Sequence, residues 1–489
     1  MRNAEPDTAR AFRKRLLASI WIGGIQVRHG ENNLIDLKGN FIDSTKRKNN
    51  KNKPTFVDLF AGCGGLSLGL LQAGWNGLLA IEKDEQAFET LEFNLIKNNG
   101  HVRLDWPEEI PARRFRLANF MSKYRDYLNR KFKGKVDLMT GGPPCQGFSY
   151  LGRRHKNDSR NNLFEQYAAF VELLRPKLLL IENVKGIGTV FGKKRDQLLK
   201  KSKRGRKKKT YVEKIREKLG RIGYELHLEP VISSEFGVPQ RRPRIIIIGV
   251  DRSLFQGDAH LAYNFLIKIF VSLEKFKKDF LSSKGLPTNH PISVKDAISD
   301  LECERKALIE CFDSKGFKQI EYKGPETSYQ KFLNQGTKGK SLNSLRLANH
   351  RDATLKRNMN ILKDTKAGKC RKGVTLNSVE KGEYGINKHC FTVLDENKPS
   401  HTLSTLPDDF LHYSEPRILT VRECARIQSF PDWFDFKGKY TTGGKSRTRE
   451  CPRYTQVGNA VPPLLAEAIG LILLKALSIL ENPVSTSKL

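Results

Sequence analysis

The chain has 489 residues, with 87 Lys and Arg against 53 Asp and Glu, a net charge of +34. An apolar share of 38%, including 27 Phe, supports a sizeable core and excludes wholesale disorder. So large a charge points to a polyanionic partner, nucleic acid ahead of an anionic membrane surface, while eight cysteines without Cys-x-x-Cys or Cys/His ligand spacing exclude a disulfide scaffold and a zinc module.

Residues 1–53 read as an extension that ends in a polar, basic linker, STKRKNNKNK at 44–53. The apolar run at 16–25 imitates a secretory signal but lacks a convincing small-residue cleavage site. From 55 the pattern changes. TFVDLF at 55–60 is a short, mostly apolar run, AGCGG at 61–65 breaks it, and helical spacing resumes at 66–73. That order predicts strand, tight turn and helix. Further short apolar runs lie at 78–81, closed by Glu82, at 136–140, followed by Gly141-Gly142-Pro143-Pro144, at 178–181, followed by Glu182-Asn183, and at 245–250 (IIIIGV). Strands alternating with helix-length segments predict an α/β, Rossmann-like, doubly wound and mostly parallel sheet, whose chemistry sits beyond the carboxyl ends of its strands.

Two segments break this rhythm. Residues 193–216 hold 13 basic and two acidic residues and read as a surface insertion, either a solvated charge run or a DNA-backbone contact. From 251 to 416 the alternation fades, and a separate, smaller and irregular domain is expected there. Helical patterning returns at 420–427 and again after Pro463; the apolar run at 464–480 carries Glu467 and Lys475, so a buried or amphipathic helix is expected rather than a membrane span.

Four motifs fall at the predicted strand ends. In Asp58-Leu59-Phe60-Ala61-Gly62-Cys63-Gly64-Gly65 the glycines let the backbone turn tightly and approach a ligand, and an acid such as Glu82 after the next strand can accept hydrogen bonds from ribose hydroxyls. The spaced Gly-x-Gly-x-x-Gly of a dinucleotide fingerprint is missing, which weakens a dehydrogenase reading. In GGPPCQGFS at 141–149 a cysteine, usually a small buried hydrophobe, follows two prolines at a strand end. Rigid outward presentation of that kind suits a nucleophile. Glu182-Asn183-Val184 closes another strand. In QRRPR at 240–244 the alternate residues Arg242 and Arg244 would share a face, as a clamp for an anion or a base.

Taken in order, FVDLFAGCGGLSLGL, GGPPCQGFS, ENV, QRRPR, RECARIQSFP and YTQVGNAVPP resemble the motifs of the DNA (cytosine-5) methyltransferase family over most of 55–480. The resemblance implies a catalytic domain that binds S-adenosylmethionine (54–250, completed by 417–489) and a target-recognition domain (251–416). Cys145 would attack C6 of a flipped-out cytosine, Glu182 would hold N3 and the exocyclic amine, Arg244 would bind O2, and Arg242 would lie near a phosphate or the active-site loop. Phe60, Gly62, Gly64, Glu82 and Asn459 match cofactor-site positions, and Asp105 is the candidate for the acid after the third strand. Gln146, Ser149 and Arg153 match a loop that closes over the base, and Gln240 and Thr402 are further candidates for DNA contact. Lys83 departs from the bulky apolar or aromatic residue that relatives often have after Glu82.

What the resemblance implies is a stand-alone, monomeric enzyme of bacterial restriction–modification type. It would be cytoplasmic and nucleoid-associated, act on duplex DNA, need no metal or membrane, and be paired with a cognate restriction endonuclease. Methylation of RNA by the same chemistry, or a catalytically dead DNA-binding protein on this scaffold, are the alternatives. Residues 1–53, 193–216 and 331–372 carry +7, +11 and +10 of the charge, so the remainder of the chain should be nearly neutral.

Overall fold

The computed structural model describes residues 53–97, 101–143, 162–184, 210–304, 306–337, 339, 341–443, 446 and 449–481. The extension 1–52, the loop residues Cys145, Gln146, Ser149 and Arg153, and the Lys-rich tract 201–209 lie outside them.

In chain order the principal elements are β1 (Thr55–Leu59), α1 (Gly65–Gln72), β2 (Asn76–Ile81), α2 (Glu85–Leu91), α3 (Leu117–Phe132), β3 (Leu138–Gly141), α4 (Asn162–Leu174), β4 (Leu178–Asn183), α5 (Tyr211–Arg221), β5 (Tyr224–Ile232), β6 (Gln240–Arg241) and β7 (Pro243–Asp251). They continue with α6 (Ala259–Ser283), α7 (Val294–Ile298), β8 (Leu308–Glu310), β9 (Lys318–Ile320), α8 (Ser328–Asn334), α9 (Asp352–Lys366), α10 (Ser378–Glu383), β10 (Thr392–Val393), β11 (Ser400–His401) and β12 (Phe410–Leu411). The chain closes with α11 (Val421–Ile427), α12 (Arg453–Asn459) and α13 (Pro463–Glu481).

Six strands form one sheet in the order β2-β1-β3-β4-β7-β5. The first four are parallel, and β7 runs antiparallel to both β4 and β5. Every expected strand is present, each within a few residues of its apolar run. The exception to the parallel rule is the isoleucine run. Its reversal places the start of β7 beside the end of β4, with Asn183 opposite Ile245 and Glu182 opposite Ile246. From β1 the chain steps to β2 on one side and then crosses back to β3 on the other side of β1, which puts a topological switch point at the carboxyl ends of β1 and β3. Right-handed crossovers put α1 on one face and α3 on the other.

The C-terminal helix is part of this domain. α13 packs against α1 and α6, and although it is long and apolar enough to cross a membrane by length and composition, most of it is buried in the fold. Small residues set the α1–α13 distance. A Cβ on Gly69 would stand 2.4 Å from the Pro463 carbonyl oxygen and 2.5 Å from Ala466 Cβ, and Trp75 Nε1 donates to the Gly470 carbonyl at 2.9 Å. Buried Glu467 on α13 pairs with Lys284 beyond α6. Gly69→Ala is therefore expected to cost about 2–3 kcal/mol through overpacking. Urea unfolding would check it, and a change under 0.5 kcal/mol, roughly the level of a neutral surface substitution, would count against this packing.

Beyond 251 the structure holds more order than the fading alternation suggests. α6 buries Ala262, Phe265, Leu266, Ile269, Phe270 and Leu273, an i, i+3, i+4, i+7 pattern, and packs on β5 and β7 as well as α13. Further along, Ile361, Leu362, Cys370, Leu376, Ile386, Phe391, Val393 and Leu411 form a small core of their own. α11, from the RECARIQSFP segment, is wholly buried and capped reciprocally by Thr420 and Glu423. Its Arg426 pairs with Asp300 and Asp432, and Arg417 bridges Glu415 and Glu423. Buried charges need partners of this quality, and these pairs fasten α11 to the segment after α7.

Candidate active site

The first cluster lies at the switch point. Phe60 adopts a left-handed φ of 65°, unusual for a residue with a Cβ, and Gly62 and Gly64 follow at 57° and 94°. This contortion swings the chain off β1 and starts α1 with Gly64 as its N-cap. Glu82, half-buried at the end of β2, fixes the turn. Its carboxylate accepts from Gly62 N–H at 2.9 Å, Lys83 N–H at 2.8 Å and Asp84 N–H at 2.7 Å. Burial raises its pKa above the ordinary carboxylate value against those three bonds. Asp58 beneath the turn is fully buried, which pushes its pKa up to about 7, and accepts from Ser67 Oγ at 2.6 Å.

Asn459 reaches this cluster from the far end of the sequence. α12 is tied to it by Cys63 Sγ to the Gln456 carbonyl at 3.7 Å and by Thr90 Oγ1 to Gln456 Oε1 at 2.7 Å. The segment after α12 presses on the turn, since a Cβ on Gly65 would meet the Val461 carbonyl at 2.4 Å. Asn459 itself is exposed at the end of α12.

Asp105 is not brought to this cluster. Its N–H donates to the Gly77 carbonyl at 2.7 Å, near the amino end of β2, whereas Glu82 follows the carboxyl end. The chain arrives beside Glu82 only at 114–115: Phe115 N–H donates to the Glu82 carbonyl at 2.7 Å, and Arg114 Nη1 to the Lys83 carbonyl at 3.4 Å. The acidic residue in LDWP looks like a strand-end acid, but residues 102–107 form no strand that could carry it to the carboxyl end of the sheet. Nothing in the sequence pattern marks Phe115.

The second cluster forms where β4 and β7 meet head to tail. Arg244 Nε lies 2.7 Å from Glu182 Oε1, both largely buried. Arg242, 3% exposed, stands beside them. Burial first, and then the neighbouring Arg244, hold its guanidinium pKa well below the usual arginine value, with Glu182 opposing. Its Nη1 reaches Gln240 Oε1 at 3.4 Å, and its Nε has no partner among the described residues. One carboxylate thus faces two guanidiniums in a low-dielectric corner, an arrangement suited to a planar polar ligand with both donors and acceptors.

Gln240 and Thr402 have different places. Gln240 is fully buried; its amide donates to Gln428 Oε1 at 2.9 Å and its side-chain carbonyl accepts from Leu403 N–H at 3.1 Å. It holds β11 against β6 rather than facing a groove. Thr402 is half-buried next to that pairing, with Oγ1 3.4 Å from the Arg241 carbonyl.

Gly141 and Gly142 join the two clusters. A Cβ on Gly141 would stand 2.5 Å from the Leu59 carbonyl oxygen, and one on Gly142 3.5 Å from Glu182 Oε2. The end of β3 therefore runs between the Phe60 turn and Glu182, and the chain continues from Pro143 toward Cys145. Among the described residues no group of three or more His, Cys, Asp or Glu is placed to hold a metal ion.

Residues 54–475 match the profile of the family described as C-5 cytosine-specific DNA methylase. Among curated proteins, the Type II methyltransferase M.DdeI of Desulfomicrobium norvegicum is 32% identical over 426 residues, covering 84% of this chain and 86% of the relative. The Type II methyltransferase M.PspPI of a Psychrobacter species is 31% identical over 430 residues, 87% of this chain and 80% of the relative. A crystal structure described as a putative DNA modification methyltransferase encoded within an E. coli prophage has a TM-score of 0.53 and 24% identity over 87% of this chain and 99% of the other, a likeness of fold.

Proposed function

Since the chain belongs to the C-5 cytosine-specific DNA methylase family, and is accordingly a DNA (cytosine-5) methyltransferase that uses S-adenosylmethionine, we propose that Cys145, Glu182, Arg242 and Arg244 form its catalytic set. The observation that carries this reading is the Arg244–Glu182 pair at 2.7 Å, set across Gly142 from the glycine-rich turn.

The first cluster fits the cofactor. At Gly62 the backbone turns at φ 57° with no heavy atom within 4 Å of where a Cβ would stand, and the Glu82 carboxylate is locked beside it by three N–H groups. The Phe60 turn, Gly62, Gly64 and Asn459 would hold the cofactor, with Glu82 accepting from its ribose hydroxyls. Bound there, S-adenosylmethionine supplies an electrophilic methyl group on a sulfonium.

The protein's own task is to make C5 of cytosine nucleophilic. The Cys145 thiolate adds to C6, the π pair of C5=C6 moves into the C4–C5 bond, and the pair of C4=N3 moves onto N3, which makes C5 the nucleophilic carbon of an enamine. Glu182, holding a proton at N3, neutralises the charge that develops, and Arg244, fixed by Glu182, donates to O2. After methyl transfer the C5 proton leaves to a base and Cys145 is expelled, restoring the ring. The cytosine must leave the helix to reach this corner, at a cost of a few kcal/mol. Basic surface would offset that cost by neutralising phosphates.

The recognition region lies within 251–416. Because α6 is a layer of the sheet domain, the part that meets DNA would begin after that helix, and the catalytic domain would be formed by 54–283 and 417–489 rather than by 54–250 and 417–489. By likeness to relatives named as type II methyltransferases, the enzyme would work as a cytoplasmic monomer that protects DNA from a cognate restriction endonuclease. Bisulfite sequencing of DNA from cells expressing the chain is expected to show unconverted cytosine at one recurring sequence. Methylation of tRNA with none in duplex DNA would overturn the reading.

A further inference from the structure

The rest of the chain outside the three basic segments is not evenly neutral. Residues 111–135, α3 with its flanks, hold nine Lys and Arg against the single Asp126, and all nine are exposed. Their opposite side is apolar: Leu117, Phe120, Leu128 and Phe132 are buried.

Ion pairs hardly relieve this charge. Only Arg114–Glu85 at 3.7 Å and Lys131–Glu109 at 3.9 Å involve carboxylates among the described residues, and both are long and exposed. Elsewhere in the chain some helical lysines and arginines sit in closer ion pairs. On α5, Lys218 and Arg221 pair with Glu165 and Glu217, and on α6, Lys277 pairs with Glu235 and Glu274. Cations at the end of α3 are favoured by the helix dipole, but those along its body repel one another. A surface that keeps so many unpaired like charges on a helix whose other face is buried is stabilised most by a linear polyanion.

We infer that the exposed face of α3 is a second DNA-backbone site, separate from the target cleft and independent of sequence. Its start lies at the site edge, where Phe115 N–H meets the Glu82 carbonyl. From there it runs over the 16 residues of α3, with a break in the helical geometry at Tyr124, for at most about 24 Å at 1.5 Å per helical residue. That length covers the phosphates of about seven base pairs, at 3.4 Å per pair. The site would raise the rate at which the enzyme finds its target on long DNA without entering the chemistry. The inference rests on duplex DNA being the substrate.

The test uses the full chain with Lys123, Arg125, Arg130 and Lys133 all changed to Gln, and Lys275→Gln/Lys278→Gln on α6 as the control for net charge. Binding to a 40-base-pair duplex lacking the methylated sequence is measured against salt. Each phosphate that is no longer neutralised lowers the slope of log K on log[salt] by about 0.9, so the α3 variant, with four charges removed, should drop by up to about 3.6 units of slope and at least roughly tenfold in affinity at about 150 mM salt. Its kcat on a short duplex with the mapped site should stay within about twofold. An unchanged slope, or a control that lowers it equally per charge, overturns the inference. So does a variant that keeps its duplex slope but no longer binds phosphatidylserine vesicles. A wild-type chain that methylates no duplex would instead fail the reading of its function, a separate and visible outcome.

Discussion

Glu182→Gln is expected to lower kcat by about 10²- to 10³-fold while leaving the dissociation constant for S-adenosylmethionine within roughly twofold. Gln has nearly the shape of Glu but cannot carry a proton to N3 of cytosine. The substitution also removes the one carboxylate among the described residues that faces Arg242 and Arg244 in the buried corner. Two guanidiniums left there without a counter-charge should destabilise the fold by about 3–5 kcal/mol, the usual cost of breaking a buried pair from one side. The two effects are separable. Single-turnover methylation well below the unfolding midpoint reads the chemistry, cofactor titration shows that the Phe60 turn is intact, and thermal unfolding reads the broken pair. Unchanged turnover would remove Glu182 from the catalytic set.

Cys145→Ala is expected to reduce methyl transfer by more than roughly 10³-fold, since a methyl side chain has no group that can attack C6. DNA binding should persist, because the recognition region and basic surfaces are untouched. A duplex with fluorine at C5 of the target cytosine provides a second measurement. The adduct cannot lose a proton from C5, so wild-type protein should remain attached on a denaturing gel and the variant should not. Full turnover by the variant in a tritiated-methyl assay would assign the nucleophile elsewhere.

Much of the architecture is written locally. The apolar runs at 55–60, 178–181 and 245–250 form strands because β-branched and leucine-rich segments of that length, bounded by Gly, Pro or charged residues, have few other ways to bury themselves. The turn at 60–65 is legible because only glycine tolerates two of its three left-handed positions at little cost. α6 is also within reach, as its buried residues follow helical spacing, yet in the sequence it merges with a polar, lysine-rich stretch. Asp105 shows where local pattern fails. A carboxylate after an apolar residue resembles a strand-end acid, but only the pairing of its N–H with Gly77 shows that it stands at the other end of β2. Gln240 shows the same failure. Its place in a motif suggests a DNA contact, while burial and the bond it accepts from Leu403 N–H make it a fastening between the short strands β6 and β11, and its amide ties them to Gln428.

The sequence by itself made the family and its methyl donor legible: six motifs in order specify both, because each motif is a short local pattern that needs no distant residue to be read. Only the tertiary structure decided how those motifs meet. The reversed direction of β7 brings Arg244 to Glu182, since an antiparallel neighbour puts the start of one strand beside the end of the other. The packing of α12 and α13 on the first βα turn returns Asn459 to a site some 400 positions upstream. The folding of 117–132 as a helix that buries Leu117, Phe120, Leu128 and Phe132 leaves its own lysines and arginines and those of its flanks exposed together. Each is a long-range consequence of burial and pairing, and no short window of sequence contains it.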